Sequence, residues 1–208
     1  MITCPTPLPA KDRILLGHGS GGRLSAELLR DIFLPVFRSP VLGRLDDQAI
    51  LQIGSERLAF TTDSFVVHPL FFPGGDVGRL AVNGTVNDLA MSGARPLYLS
   101  LGFIIEEGLA VDDLTRVVAS IREAAREASV DVVAGDTKVV ERGKGDGLFI
   151  TSSGVGVIEA KRPVTPSEVR AGDAVLVSGT VGQHGVAVIW HRRPPSSRSR
   201  PCGLQPTA

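Results

Sequence analysis

This chain of 208 residues is poor in the residue types that hold together secreted scaffolds and membrane proteins. It has two cysteines, Cys4 and Cys202, near opposite ends, which excludes a disulfide framework and a zinc-binding cysteine cluster. No apolar run approaches the roughly 20 residues that a membrane-spanning helix needs. The first 13 residues lack a basic segment followed by an apolar one, so no signal peptide is predicted. We therefore expect a cytoplasmic protein with no membrane partner.

The chain also lacks net charge, because 22 Lys and Arg residues balance 22 Asp and Glu residues. The balance is uneven, since residues 191–208 hold four arginines and no acid. Without those four, 18 basic residues face 22 acidic residues in the rest of the chain. A mildly acidic body argues against nucleic acid as the main partner. The length is enough for one domain and the start of a second.

What the sequence does contain is a series of aspartates beside small or hydroxyl residues, at the predicted ends of strands and helices. They are Asp46, Asp47, Asp63, Asp88 and Asp136. Mg²⁺ prefers carboxylate oxygens together with phosphate oxygens and water, so the set is suited to Mg²⁺ and a nucleoside triphosphate. Any one of these acids alone could be structural; together they favour a functional site.

A glycine-rich loop over residues 17–22 precedes a helical pattern of apolar residues. Backbone N–H groups of such a loop can approach phosphate closely, which makes Gly19, Gly21 and Gly22 candidate nucleotide contacts. The loop is not a P-loop, because no Gly-Lys-Ser/Thr follows it. A flexible turn is the alternative interpretation.

The hydrophobic pattern predicts an α+β fold in which a sheet is backed by helices. Strands are predicted over 49–53, 58–62, 96–105, 130–134, 148–158 and 174–178, helices over 77–91 and about 114–128, and a helix start at 184–190. The strand over 96–105 is almost continuously apolar, which favours burial on both of its faces. Residues 73–76 indicate a turn and helix cap, and residues 141–147 a polar loop.

Five stretches together resemble the HypE family of hydrogenase maturation proteins, which are ATP-dependent carbamoyl dehydratases. They are residues 17–22, 61–67, 69–76, 80–94 and 135–140, and the resemblance covers roughly residues 14–190. The acidic elements are shared with aminoimidazole ribonucleotide synthetase, selenophosphate synthetase and thiamine-monophosphate kinase, and mark ATP use. The segments 71–76 and 135–140 favour the hydrogenase maturation branch.

The resemblance implies a ferredoxin-like N-terminal domain that forms a homodimer through its sheet, with ATP and Mg²⁺ near the dimer seam. It implies that ATP phosphorylates the oxygen of a carbamoyl group carried on a C-terminal cysteine sulfur. Loss of phosphate then leaves a thiocyanate, whose cyanide goes to the active-site iron of nickel–iron hydrogenase. The implied partners are the carbamoyltransferase HypF and the HypC–HypD scaffold complex.

The positions of the matched motifs also imply residue roles. The implied metal ligands are Asp46, Asp47, Asp63, Asp88 and Asp136. The implied nucleotide contacts are Gly19, Gly21, Gly22, Asp63, Asn87, Asp88, Asp136 and Thr137. Asp88 and Lys138 are the implied catalytic residues, and Lys138 would contact phosphate or the carbamoyl oxygen.

The chain departs from the family pattern after residue 190. Members continue through a second α/β domain and end in Pro-Arg-aliphatic-Cys, whereas here Cys202 follows Arg200 and Pro201 in a different order and is not terminal. We predict a disordered segment over 1–13, an ATP-binding domain over 14–160 and the beginning of a truncated second domain over 161–190. Residues 191–208, rich in proline, arginine and serine, are predicted to be an aberrant, disordered tail, with out-of-frame coding after a truncation as the hypothesis.

Two other functions stay open on the sequence. A related ATP-dependent kinase or synthetase acting on a small molecule would use the same acids and need no cysteine. A non-catalytic dimerisation module would fold and pair without turnover. A Ser-His-Asp hydrolase is not favoured, because Ser20 and Ser64 lack a nucleophile-elbow setting.

Overall fold

The computed structural model of the chain describes residues 13–161 and 164–192. The predicted disordered start (residues 1–12) and most of the predicted tail (residues 193–208) lie outside the described residues. The chain divides into two compact units, residues 1–46 and 47–208. In the part of the chain that the structure describes, no helix is long and apolar enough to cross a membrane.

The first unit contains a segmented helix after the glycine-rich loop. A 3₁₀ turn at Leu16–Gly19 precedes helix α1 (Arg23–Leu28), a π-helical turn (Leu29–Phe33) and helix α2 (Leu34–Phe37), and a 3₁₀ turn follows at Leu42–Arg44. Pro35 lies in the first turn of α2 and has no amide hydrogen to donate to the preceding turn, which accounts for the widened π segment. The helix predicted from the apolar spacing is confirmed.

The second unit is built on a five-stranded sheet with the order β1-β2-β7-β5-β6. Its strands are β1 (Ala49–Ile53), β2 (Glu56–Phe65), β5 (Ala94–Glu106), β6 (Asp131–Val140) and β7 (Leu148–Ile158), and a small hairpin joins β3 (Phe71–Phe72) to β4 (Gly75–Asp76). All neighbours are antiparallel except β5 and β6. Gly54, with φ 61°, opens the two-residue β1–β2 turn, where a type II′ geometry requires positive φ.

Helices α3 (Val77–Ala90) and α4 (Val111–Glu127) pack on one face of this sheet. The core between them is aliphatic and includes Val82, Leu99, Val117 and Ile150, each at most 1% exposed. Asp76 caps α3 by accepting hydrogen bonds from two backbone N–H groups, which confirms the predicted cap. Helix α5 (Gln183–Arg192) follows later in the chain, as predicted. The expected α+β sheet backed by helices is confirmed.

Four details of the predicted fold are wrong. Strand β2 continues to Phe65 instead of ending at Thr62, because β7 pairs with it that far, so Asp63 lies within the strand. Tyr98 and Ile104 on β5 are 46% and 41% exposed, because helices cover only one face of the sheet, so β5 is not buried on both faces. Strand β6 continues to Val140 instead of ending before residues 135–136, since β5 pairs with it along its whole length. Residues 174–178 form no strand, because no described strand pairs with them, and Val175 is 92% exposed.

Candidate functional site

Thr61 connects the elements that carry three of the predicted acids. Its hydroxyl oxygen lies 2.8 Å from the backbone oxygen of Asp47 and 3.2 Å from Oδ2 of Asp88. Asp47 precedes β1, Thr61 belongs to β2, and Asp88 lies in the last turn of α3. Because side chains alternate along a strand, Asp63 shares the helix-covered face of β2 with Thr61. Asp47, Asp63 and Asp88 therefore converge between the β1–β2 hairpin and α3.

A glycine permits this convergence. A Cβ placed at Gly84 would lie 2.7 Å from Cζ of Phe65 and 3.7 Å from Oδ2 of Asp63. A side chain at position 84 would therefore displace either the Phe65 ring or α3. Gly84 thus sets the close approach of the helix that carries Asp88 to the strand that carries Asp63.

The surroundings of the carboxylates at this site disfavour their ionised form. Burial raises the pKa of Asp63 above its usual range, opposed by a hydrogen bond from the backbone N–H of Ser64. Burial also raises the pKa of Asp88, and the negative charges of Asp63 and Asp47 add to the effect, whereas the hydrogen bond from Thr61 opposes it. Desolvation and like charges both disfavour an ionised carboxylate. A cation at this position would relieve both costs.

Asp136 lies elsewhere in the same chain. By strand register, Asp136 on β6 is level with Gly102 on β5, Thr151 on β7 and Ser64 on β2. Three steps between neighbouring strands amount to about 14 Å. Asp136 also lies on the face of the sheet opposite α3 and α4, whereas Asp63 lies on the covered face. Within one chain, the structure does not bring Asp136 to the other acids.

The neighbours of Asp136 share its exposed edge strand. The Nζ atom of Lys138 lies 3.5 Å from Oδ2 of Asp136, and both side chains are 72% exposed. Thr137 alternates to the other face of β6 and is also exposed. Asn87 is exposed on α3, one residue before Asp88. Asp136 was expected at a strand end and lies in mid-strand instead.

The remaining predicted residues belong to the first unit. Oδ2 of Asp46 lies 3.5 Å from Nε of Arg44. In the glycine-rich loop, the Ser25 hydroxyl accepts a hydrogen bond from the Gly21 N–H at 3.0 Å and donates to the backbone oxygen of His18 at 2.7 Å. The Gly21 amide is thus engaged within the loop, while Gly19 and Gly22 are exposed.

Residues 45–158, which contain β1 to β7 and the acids of both faces, match the family described as AIR synthase related protein, N-terminal domain. The chain belongs to this family. The same region includes the Thr61 site, so the converging acids lie within the family's domain.

Individual relatives are closely similar. The carbamoyl dehydratase HypE of Cupriavidus necator is 52% identical over 188 residues, which are 89% of this chain and 54% of that protein. A HypE structure solved in complex with ATP is 53% identical, with a TM-score of 0.65 over 86% of this chain and 53% of that chain. The matching chain in the crystal structure of a HypE–HypF complex is 50% identical, with a TM-score of 0.74 over 79% of this chain and 53% of that chain.

These similarities confirm the predicted resemblance to the HypE family and the predicted fold class. The chain spans about half the length of the curated relatives it matches. The activity and partners that the names of these relatives give are therefore a basis for a proposal about this chain.

Two residues of structural importance, Thr61 and Glu106, were not predicted from the sequence. Thr61 could have been found from its spacing of two residues from Asp63, because a strand that continues past Thr62 puts both on one face. Glu106, at the end of β5, accepts hydrogen bonds from the backbone N–H groups of Gly143 and Gly147, which lower its pKa. Nothing in the local pattern indicated that a β5 carboxylate holds the loop over residues 141–147.

A cavity of about 950 Å³ lies away from the acids, between the first half of α3 and residues 180–190. Phe72, Leu80 and Trp190 contribute apolar walls, and Asn83 contributes a polar group. His184 contacts Phe72 edge to face, with ring centroids 5.2 Å apart. None of the predicted site residues lines this cavity.

Proposed function

We propose that this chain is the ATP-binding portion of a carbamoyl dehydratase that acts in the maturation of nickel–iron hydrogenase. The observation that carries the proposal is the convergence of Asp47, Asp63 and Asp88 around Thr61. Relatives about 50% identical bear the name carbamoyl dehydratase, and a HypE solved with ATP shares the fold, which supports the same use of this site.

The residues at the site fit Mg²⁺. Among the described residues, no three His, Cys, Asp or Glu side chains are arranged to hold a metal by themselves. Mg²⁺ does not require such a cage, because it is usually bound by one or two carboxylates plus substrate phosphates and water. Asp63 and Asp88 would hold it, with Asp47 beside them. Oε1 of Gln48, buried without a hydrogen-bond partner, offers one more oxygen next to Asp47.

The proposed reaction requires that the oxygen of the carbamoyl group be converted into a leaving group. ATP transfers its terminal phosphoryl group to the oxygen of an S-carbamoyl group, and phosphate then departs with that oxygen while two protons leave the nitrogen. The products are a thiocyanate, ADP and phosphate. Mg²⁺, when bound, offsets the negative charge that spreads over the transferring phosphoryl group. The acids of this chain position the nucleotide for that transfer.

A homodimer would give the second group of predicted residues a place at a subunit interface. Asp136, Thr137 and Lys138 cannot reach the ATP site of their own chain if they stay on the far edge of the sheet. A second copy docked against the exposed sheet face would bring another Asp136 and Lys138 near the seam. The exposed Phe60, Tyr98 and Ile104 on this face support the arrangement.

The proposed partners follow from the same resemblance. HypF would supply the carbamoyl group, and a HypE–HypF complex is known for a relative that is 50% identical. A HypC–HypD scaffold would receive the cyanide. A cytoplasmic location is part of the proposal, and the low cysteine content supports it.

The first experiment is calorimetric titration of the purified chain with Mg-ATP. We expect binding, and we expect Asp88→Asn and Asp63→Asn each to weaken it at least about tenfold, because each removes a ligand charge while preserving side-chain volume. Asp112→Asn is the matched control, since Asp112 is an exposed acid on α4 away from the site.

Measuring ADP release with different substrates distinguishes a dehydratase from a kinase. ADP release that depends on an S-carbamoyl-cysteine peptide, with formation of the peptide thiocyanate, supports the proposal. ADP release stimulated by a small metabolite alone would instead favour a kinase or synthetase. A chain that is folded by circular dichroism yet binds no Mg-ATP would contradict the proposed ATP site and leave a dimerisation module as the function.

A further inference from the structure

We propose that Thr61 is a positioning residue that fixes the nucleotide-binding acids before any ligand arrives. The inference rests on the proposed ATP site and adds to it a residue that holds this site together. Thr61 is 5% exposed, and its hydroxyl contacts both the segment before β1 and the end of α3.

The Thr61 hydroxyl lies within hydrogen-bond distance of two acceptors. Thr61 has one hydroxyl proton and two acceptors, the Asp47 backbone oxygen at 2.8 Å and Oδ2 of Asp88 at 3.2 Å. These acceptors lie 14 residues before and 27 residues after it in the chain. The one proton is shared between the two acceptors, so a single group ties both the Asp88 side chain and the segment that carries Asp47 to β2. Valine has nearly the same shape but would leave the Asp47 carbonyl group and the Asp88 carboxylate without this donor.

The need for such a residue follows from the charges. Asp88 faces the negative charges of Asp63 and Asp47, and repulsion alone would turn its carboxylate away from them. The Thr61 hydroxyl opposes this by holding one carboxylate oxygen in place. Groups that orient metal ligands commonly change metal affinity about 10- to 100-fold when removed.

Thr62 provides a matched control within the same strand. It is exposed on the opposite face, where its hydroxyl accepts a hydrogen bond from Ser153 at 2.9 Å and lies 3.3 Å from the backbone oxygen of Ser152. Thr61→Val and Thr62→Val are therefore the same chemical change at neighbouring positions of one strand. Only the first one removes a hydroxyl from the acids.

The experiment measures Mg²⁺ dependence of ATP binding to the 208-residue chain and to Thr61→Val, Thr61→Ser and Thr62→Val. We expect Thr61→Val to raise the Mg²⁺ concentration required at fixed ATP by about 10-fold or more. Thr61→Ser keeps the hydroxyl and should restore binding close to that of the unsubstituted chain, and Thr62→Val should match it. Thermal unfolding with a chelator present checks that each variant is folded at the titration temperature.

A merely structural role for Thr61 predicts something different. Thr61→Val would then lower the unfolding temperature, while the variant that is still folded would bind Mg-ATP with unchanged Mg²⁺ dependence, and that outcome overturns the proposal. Equal weakening by Thr61→Val and Thr62→Val overturns it as well. If the folded, unsubstituted chain binds no Mg-ATP, the proposed function fails first, and this role for Thr61 falls with it.

Discussion

At the scale of single residues, the candidate site brings several negative charges close together, which lowers the stability of the folded chain. Asp88 lies in the last turn of α3, near two other acids and a buried hydroxyl, and its pKa is raised chiefly by burial. Stability alone would favour a neutral side chain here. An acid kept in such a place is typical of a functional site, because the charge is useful only when a cation or substrate compensates it.

Asp88→Asn should therefore stabilise the free chain while it weakens Mg-ATP binding. The pKa of Asp88 is raised in the folded state, so the ionised carboxylate disfavours folding at neutral pH, and this cost disappears as the pH falls through the raised pKa. Since the side chain is only half-buried, we expect a rise in melting temperature of no more than about 3 °C at pH 7 without Mg²⁺.

The measurement is thermal unfolding with a chelator at about pH 7 and again at about pH 4. The difference in melting temperature between the Asp88→Asn variant and the unsubstituted chain should narrow at the lower pH, because the aspartate protonates. Asp112→Asn should show the opposite sign at neutral pH, because an acid in the first turn of α4 interacts favourably with the helix dipole. A destabilised Asp88→Asn chain at neutral pH would contradict the electrostatic description of the site.

At the scale of elements, the orientation of α3 decides where Asp88 lies. Asp76 caps the helix, accepting hydrogen bonds from the N–H groups of Gly78 and Arg79 at 2.8 and 3.0 Å. Its other oxygen accepts a hydrogen bond from the Ser120 hydroxyl of α4 at 2.6 Å. Gly78 lets the helices approach, because a Cβ there would lie 2.6 Å from the backbone oxygen of Val117. One carboxylate thus starts α3 and ties it to α4.

Asp76→Ala should cost about 1–2 kcal/mol of stability, since it removes an N-cap and a contact between helices. The measurement is urea denaturation, with the midpoint lowered and the slope unchanged. Asp76→Asn keeps a capping oxygen and should lose less, which separates loss of the cap from loss of charge. Equal stability of the alanine variant and the unsubstituted chain would show that α3 is held by its apolar face alone.

At the scale of the whole molecule, the second unit has one covered and one exposed sheet face. Phe60, Tyr98 and Ile104 on the exposed face are each more than 40% accessible. Between them lie small and hydroxyl side chains that pair across strands, such as Ser64 with Thr151 at 3.2 Å. Apolar side chains exposed on one face are typical of an interaction surface, which is consistent with the proposed second copy.

If the proposed homodimer forms through this face, Ile104→Glu should convert it into a monomer. A carboxylate introduced on this face would be buried once in each copy by the two-fold symmetry, while its cross-strand neighbour Lys138 already pairs with Asp136. Light scattering coupled to size exclusion gives the mass, and Val111→Glu, on the 77% exposed first residue of α4, is the control. A monomeric unsubstituted chain, or a dimeric Ile104→Glu chain, would contradict pairing through this face.

The local sequence pattern was enough to predict the bounds of some elements and not of others. Strands β1 and β7 were predicted residue for residue, because turn residues bound both of them and both pair within the sheet. The N-cap at Asp76 was also predicted, since a capping carboxylate acts on its own helix. By contrast, the strand predicted over 130–134 was expected to end at residues 135–136, and its pairing with β5 extends it to Val140. Residues 174–178 have a strand pattern, but a strand without a partner gains no ladder of hydrogen bonds.

The sequence by itself determined the family, the helix-backed sheet and the identity of the acids, because motifs and apolar periodicity are local properties of the chain. Only the tertiary structure decided which acids meet. Asp47, Asp63 and Asp88 are far apart in sequence and converge on Thr61 because Gly84 lets α3 approach β2. Asp136 belongs to the same sequence pattern, yet strand order and side-chain alternation put it about 14 Å across the sheet and on the other face.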